Sequence, residues 1–375
     1  MRRSLTKRVM PDCSKITVTS GIEVPDEPPL SSATTKLLKR LRLKYISTTE
    51  LTIRRQRYGR GFGYFRPDGK SVTMAEKRRL AALAVPPAYE GVLYAADAAA
   101  HIQAVGRDSA GRLQYRYHPQ WQRVREMRKA RRLARLADAL PRIQRGVSQH
   151  LNSSEPTREL ALAAVVELVA RSAIRAGSEQ YARLRGTRGA ATLLKSNVSI
   201  YGETVKLCFK AKGGKLIAKG INAPRLARAI NVLQQLPGRR MFQYCDGDGT
   251  PHAANAREVN EFLREIAGVE ISLKDFRTLL ASVSVLDALA RAEPATSKRA
   301  RRRQILDAIC EAAAELGNNP AICRKSYVHE TVVNAFEDGV LDRFAETLRT
   351  SRSTAKRAKV LAKVAAKVET DGAAV

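Results

Sequence analysis

The side chains that could do chemistry in this chain of 375 residues are informative first for what they fail to assemble. There is no H-E-x-x-H pair, no G-x-x-x-x-G-K-[ST] phosphate loop and no Asp/Glu cluster of the two-metal kind. The five histidines, His101, His118, His150, His252 and His329, are scattered, and none stands at ligand spacing from another. The five cysteines, Cys13, Cys208, Cys245, Cys310 and Cys323, are odd in number and contain no C-x-x-C pair. Neither a disulfide framework nor a zinc site is indicated, and reduced thiols in a cytoplasmic compartment fit best. Chemistry on a phosphodiester would then fall to Arg and Lys, which neutralise transition-state charge, and to a side-chain nucleophile. No metal and no other cofactor is expected.

A phosphodiester is the natural target because of charge. Lys plus Arg number 67 against 36 Asp plus Glu, a net +31. Residues 121–145 hold nine basic side chains and two acidic ones, and five of the six residues in KRARRR (298–303) are basic. An excess of this size repels itself in the compact state unless a polyanion offsets it, so nucleic acid is the expected partner. A membrane surface fits poorly: the carboxy-terminal AKRAKVLAKVAAKV offers only Val360, Leu361, Val364 and Val368 as an apolar face. No apolar run approaches the ~18 residues a membrane span needs. Arg2, Arg3, Lys7 and Arg8 are not followed by the apolar core of a secretory signal.

The elements that must position such chemistry fall into an α+β pattern. Residues 1–44 read as a flexible basic leader, since GIEVPDEPPLSSATT is rich in Pro, Ser and acids with no apolar period. Residues 45–122 read as a small strand-rich domain, with short β-type stretches and turn signals at Pro67-Asp68-Gly69 and Ser109-Ala110-Gly111. Residues 123–350 are mainly helical, with apolar periods in 157–176, in Leu226, Ile230 and Leu233, in Val259, Phe262, Leu263 and Ile266, and in Ile305, Ile309, Ala312 and Leu316. One β-rich island interrupts them. In NVSIYGETVKLCFKAKGGKLIAKG the apolar residues alternate, with turns at Gly202-Glu203 and Gly213-Gly214, which predicts a three-stranded antiparallel meander. Lys212 and Lys215 flank its second turn, a loop that can deliver a cation. Residues 351–375 read as a basic tail.

Four blocks in this helical region, IRAGSEQY (174–181), FKAKGGK (209–215), KDFRT (274–278) and LGNNPAICRKSYVH (316–329), resemble the active-site blocks of the type IB DNA topoisomerases of the bacterial and poxvirus-like branch. GRDSAGRLQYRYHPQW (106–121) resembles that branch's DNA-contacting stretch. The resemblance runs from about Ile53 to about Val340 with the blocks in order. It implies a tyrosine recombinase/topoisomerase IB-like catalytic domain over 123–350 and an N-terminal DNA clamp over 45–122. The implied activity is relaxation of supercoiled duplex DNA through a transient 3′-phosphotyrosyl bond, without ATP, nucleotide or metal. Tyr327 matches the nucleophile, Arg175 and Arg277 the two arginines on the phosphate, Lys212 the general acid, and Asn318 the position where relatives carry His or Asn. A phenol suits the nucleophile's role because an aryl phosphate ester retains the bond energy that rejoining requires. Arg112, Gln114, Tyr115, Tyr117, Gly177, Tyr181 and Lys274 are the matching candidates for DNA contact. Alternation along the strand puts Tyr115 and Tyr117 on one face and Arg116 on the other. The expected form is a monomeric clamp on double-stranded DNA, cytoplasmic and associated with the nucleoid.

Three stretches depart from the pattern. Where relatives commonly read Y-G-L-T-T-L this chain has Arg188-Gly189-Ala190-Ala191-Thr192-Leu193; Ala211-Lys212-Gly213-Gly214-Lys215 replaces G-K-S-G-K; and Leu279-Leu280-Ala281-Ser282 replaces W-A-G-T. Two rival readings share the blocks in part. A tyrosine recombinase would place His three residues before the second arginine, where this chain has Lys274. An architectural DNA binder would keep the basic surface and lack a working Tyr327.

Overall fold

The structure is a computed structural model that describes residue 30 and residues 32–59, 61–351 and 353–371; for 33 and 366–371 only the backbone is described. The chain divides into two compact units that part between Val124 and Arg125.

In the first unit, α1 (Ser32–Arg40) precedes a sheet of five antiparallel strands, β1 (Leu51–Tyr58), β2 (Gly61–Phe65), β3 (Glu90–Ala95), β4 (Ile102–Arg107) and β5 (Leu113–Tyr117), in the order β2-β1-β3-β4-β5. Ser109-Ala110-Gly111 closes the β4–β5 hairpin, where Arg107 pairs with Leu113. Pro67-Asp68-Gly69 turns the chain back so that Phe65 bridges Ser71. α2 (Met74–Ala82) starts at a reciprocal cap: Glu76 N–H donates to the Thr73 hydroxyl, and Thr73 N–H donates to the Glu76 carboxylate. Its Leu80 is buried with Ile53, Val92, Tyr94 and Ala104 on one side of the sheet, while Leu51, Ala95, Ala100, Ile102 and Val105 form a cluster of their own. Part of the stretch read as a flexible leader is therefore helical. In TKLLKRLRL, Leu38 on α1 and Leu43 just past its end pack with Trp121 and Val124. Residues 1–29 and 31 lie outside the described residues.

The second unit is helical. α3 (Trp121–His150) holds the boundary in its first turn, followed by α4 (Arg158–Ser172) and α5 (Glu179–Arg185). The meander follows as β6 (Val198–Tyr201), β7 (Thr204–Lys210) and β8 (Leu216–Asn222), in the order β6-β7-β8. Then come α6 (Pro224–Gln234), a two-stranded ribbon of β9 (Gln243–Cys245) and β10 (Pro251–Ala253), α7 (Ala256–Ala267), α8 (Leu273–Arg291), α9 (Lys298–Glu315), α10 (Pro320–Ser326), α11 (Glu330–Glu337), α12 (Asp342–Thr350) and α13 (Thr354–Asp371). α4 is apolar on every face and its residues from Leu160 to Val169 are almost all buried, as expected of a helix at the centre of a core. α8 is nearly as buried, and the two pack against each other. In β7, Val205, Leu207 and Phe209 face the core while Lys206, Cys208 and Lys210 face out, the period of two that the meander requires.

The segment read as a basic tail is largely helix α13, which packs on α8 and α11. Ala358, Val360, Leu361, Val364 and Ala365 are buried, and Arg357 reaches Asp287 on α8 at 2.5 Å. The bases dominate its composition, but its few apolar residues share one helical face, and burial follows the face. Among the described residues, no helix is long and apolar enough to cross a membrane.

Candidate active site

Five side chains of the second unit that the sequence singles out come from five different places in the chain. Arg175 follows α4, whose last turn ends at Ala173 in a left-handed conformation (φ 55°). The loop it starts is held by backbone: Ala190 N–H donates to Arg175 O (2.8 Å) and Ala191 N–H to Ala176 O (2.8 Å). The two loops touch through glycines. A Cβ on Gly189 would stand 2.5 Å from Arg175 O and 2.6 Å from Gly177 Cα, and Gly177 itself has φ +102°. The close approach that Gly177 permits is thus to its own chain, at Gly189 and Thr192.

Arg277 lies in the first half of α8 and is 3% exposed. Its Nη1 donates to Ala173 O and its Nη2 to Leu316 O (3.4 Å), so the ends of α4 and α9 clamp it. The guanidinium carbon lies 4.9 Å from the centre of the Tyr327 ring. Asn318, just past α9, accepts from Arg175 Nη2 through Oδ1 (2.9 Å). That bond sets the amide so that Nδ2 is left as a donor, and Nδ2 is buried with no protein partner, as is Arg277 Nε. Buried donors left unspent are costly unless something accepts from them.

Tyr327 is half-buried and caps α10, its N–H donating to Cys323 O (2.9 Å). Its carbonyl accepts from the Ser282 hydroxyl (3.0 Å), which in turn accepts from His329 N–H (3.1 Å). The next carbonyl, Val328 O, accepts from Lys129 Nζ (3.2 Å). Burial pushes the Tyr327 phenol up, but the charge and hydrogen-bonding of Arg277, with Arg175 and Lys274 behind it, outweigh burial and hold it below the usual phenol range. Lys274 is exposed in the first turn of α8, and Asp275 caps that helix by accepting from Ser272 N–H (2.8 Å).

Lys212 stands on the β7–β8 turn, where Gly213 and Gly214 both adopt positive φ (81° and 79°), a backbone only glycine takes without penalty. Its ammonium lies 6.0 Å from the centre of the Tyr181 ring, and Tyr181 on α5 is 38% exposed with Arg185 5.4 Å from the same ring. The structure thus brings Arg175, Arg277, Asn318 and Tyr327 together and places Lys212 beside Tyr181 on the meander turn.

The other contact candidates belong to the first unit. Arg112 and Gln114 both donate to Asp108 Oδ2 (2.8 and 3.0 Å), and the hydrogen bond from Arg112 is the main reason that carboxyl is held down at about 2. Tyr115 and Tyr117 stack at 6.0 Å on one face of the edge strand β5, while Arg116 turns the other way to donate to Ala84 O (3.0 Å).

Sequence reasoning did not pick out Ser282, Lys129, Lys219 or Arg188. Ser282 had a usable signal: it keeps a hydroxyl at the Thr of W-A-G-T, and the hydroxyl pins Tyr327. Lys219 on β8 carried none, being one lysine among many; it donates to Ser172 O (2.7 Å) and Glu315 O, and burial lowers its pKa.

A helical unit carrying a three-stranded antiparallel meander, beside a strand-rich unit, is the α+β architecture consistent with the topoisomerase IB fold. Residues 118–354 match the family described as eukaryotic DNA topoisomerase I, catalytic core, and residues 61–108 match bacterial DNA topoisomerase IB, N-terminal domain. The chain belongs to the type IB DNA topoisomerases. It is similar to a DNA topoisomerase 1B of Acanthamoeba polyphaga mimivirus, 29% identical over 294 residues that cover 76% of this chain and 88% of the relative. The recombinase and architectural readings give way to this assignment, and the protein is an isomerase that acts on DNA.

Proposed function

We propose that Tyr327 is the nucleophile and that Arg175, Lys212, Arg277 and Asn318 complete the site. The observation that carries this reading is a phenol whose ionisation Arg277 favours, with two buried unspent donors near it in the network, Arg277 Nε itself and Asn318 Nδ2 on the residue that holds Arg175. The Tyr327 oxygen, its proton lost to solvent, attacks the scissile phosphorus; the bond from phosphorus to the 5′ oxygen breaks as the tyrosyl ester forms. Lys212 gives its proton to the leaving 5′ oxygen and takes it back when that hydroxyl attacks in the reverse step. Arg175, Arg277 and Asn318 donate to the non-bridging oxygens, where the five-coordinate transition state gathers charge. Between the two steps the free 5′ end swivels and the supercoil relaxes. Such a cycle conserves bond energy in the ester and runs with neither ATP nor metal, so relaxation of both positive and negative supercoils in EDTA is expected.

Arg112, Gln114, Tyr115, Tyr117, Gly177, Tyr181 and Lys274 serve duplex contact in this reading, Gly177 through the shape of its loop. The functional divisions are an amino-terminal leader, a DNA-clamp domain over 45–122 and a catalytic domain beyond it, working as a monomer on the DNA of the cytoplasmic nucleoid. Tyr327→Phe tests the core of the proposal. Loss of plasmid relaxation and of the denaturation-resistant adduct, with duplex binding retained, is the expected result. Retained relaxation, or an adduct mapped to a 5′ end, would overturn it.

A further inference from the structure

Arg175 and Arg277 share a cleft with two further cations. Its wall is Ile174, Arg175, Arg188, Phe209, Ala211, Ile217, Lys219, Arg277 and Leu316, so four cations and no carboxylate line a space of about 10 Å³, enough for one oxygen-sized group. Like charges gathered around a partly buried space repel one another; the carbonyls at the ends of α4 and α9 offset part of this for Arg277 and Lys219, and an anion entering the space would offset more. Three of the four have their donors committed in part: Arg277 to Ala173 O and Leu316 O, Lys219 to Ser172 O and Glu315 O, and Arg175 to Asn318. Arg188 does not. Its side chain makes one long contact, Nη1 to Thr192 O at 3.4 Å, and among the described residues it has no ion-pair partner. Its backbone is fixed where it matters, since Arg188 N–H donates to Lys210 O at 2.7 Å, two residues before Lys212. The half-buried guanidinium is therefore anchored between the Arg175 loop and the lysine turn with most of its five donors unspent.

We infer that Arg188 is a third arginine of the reaction, placing a donor on a non-bridging oxygen of the scissile phosphate beside Arg175 and Arg277. It stands in one of the stretches where this chain departs from its relatives, which commonly carry Tyr at that position, so this chain places an additional cation in its site. The inference rests on Tyr327 being the nucleophile, and the experiment separates the two. Single-turnover cleavage of a short duplex is measured for Arg188→Gln and Arg188→Lys, with Tyr327→Phe in parallel. Arg188→Gln slows cleavage by roughly 100- to 1,000-fold, on the scale of removing one donor from a charge-stabilising site, with duplex affinity unchanged, and Arg188→Lys recovers part of the rate. The deciding substrate carries a methylphosphonate at the scissile position, where a methyl group replaces one anionic oxygen. There the defect of Arg188→Gln shrinks, because the charge it would neutralise is gone; a structural role would slow both substrates alike. Wild-type cleavage by Arg188→Gln, or an equal defect on both substrates, overturns the role of Arg188 while leaving Tyr327 in place. Cleavage by Tyr327→Phe overturns the reading beneath it. If the glutamine variant does not fold, Arg188→Tyr takes its place in both measurements.

Discussion

Ionisation at the site is set one residue at a time, and opposite environments give opposite outcomes two positions apart. Tyr327 is half-buried beside Arg277, so burial loses to charge and the phenol falls below its usual range. His329 is 3% exposed, and the charge of Glu330 beside it is too weak to offset burial: Nδ1 pairs with the Thr331 hydroxyl (2.7 Å) and Nε2 with Glu126 O (3.3 Å). Burial, with Lys129 adding to it, lowers its pKa from 6.5 to about 4. The fold therefore holds His329 neutral while the unfolded chain takes up a proton below pH 6.5. Stability is fully present above that pH and is lost as pH falls towards 4, by about 3 kcal/mol at 1.36 kcal/mol per unit. His329→Asn keeps a side chain able to cap α11 but cannot titrate. Its melting temperature should decline less than that of the wild type between pH 6.5 and 4; parallel curves would show that another group controls the acid limit.

At the scale of elements, the site is a meeting of helix ends. The carboxyl ends of α4 and α9 supply the carbonyls that clamp Arg277, α10 ends at Tyr327, and α8 carries Arg277, Lys274 and Ser282 within its first three turns. α8 thus acts as the spine, and α13 packs along it although α13 begins at Thr354, where the family match ends. The completely buried Leu361 is the measure of that packing. Leu361→Ala should cost about 2 to 5 kcal/mol, read from the urea midpoint at unchanged slope. A cost near zero would mean that α13 is a passenger. Gly189 makes the same point for loops: Gly189→Ala would drive a methyl into Arg175 O, a backbone atom that cannot step aside. Relaxation should fall with that variant far more than with an alanine at exposed Gly247, which has open space around it and no positive φ.

For the whole molecule the governing quantity is the net +31. The charge is distributed over both units; a few bases sit inside the site, some are held by carboxylates or carbonyls, and the exposed remainder can grip phosphates. Duplex affinity should therefore fall steeply with salt, with a log–log slope of about 0.9 for every phosphate contacted. Substituting the exposed bases of KRARRR in α9 should reduce that slope without changing the single-turnover cleavage rate. A slope that is flat in the wild type would mean that most of the charge serves solubility.

What the sequence determined by itself is whatever depends on local pattern. The meander was legible because strand alternation in Val205, Leu207 and Phe209 breaks the surrounding helical period, and the four blocks were legible because their spacing survives in order. Both are properties of neighbours in the chain. The order of α13 was hidden because six bases in residues 351–375 mask an apolar face only five residues strong. The tertiary structure alone decided which of many similar bases meet. Arg188 and Lys219 look like any surface cation in the sequence, and Gly177 like a loop residue. Only the packing of the Arg175 loop against Gly189, and of β8 against the ends of α4 and α9, turns two of those bases inward. Chain-distant contacts such as these leave no periodic mark, so they are read from the fold.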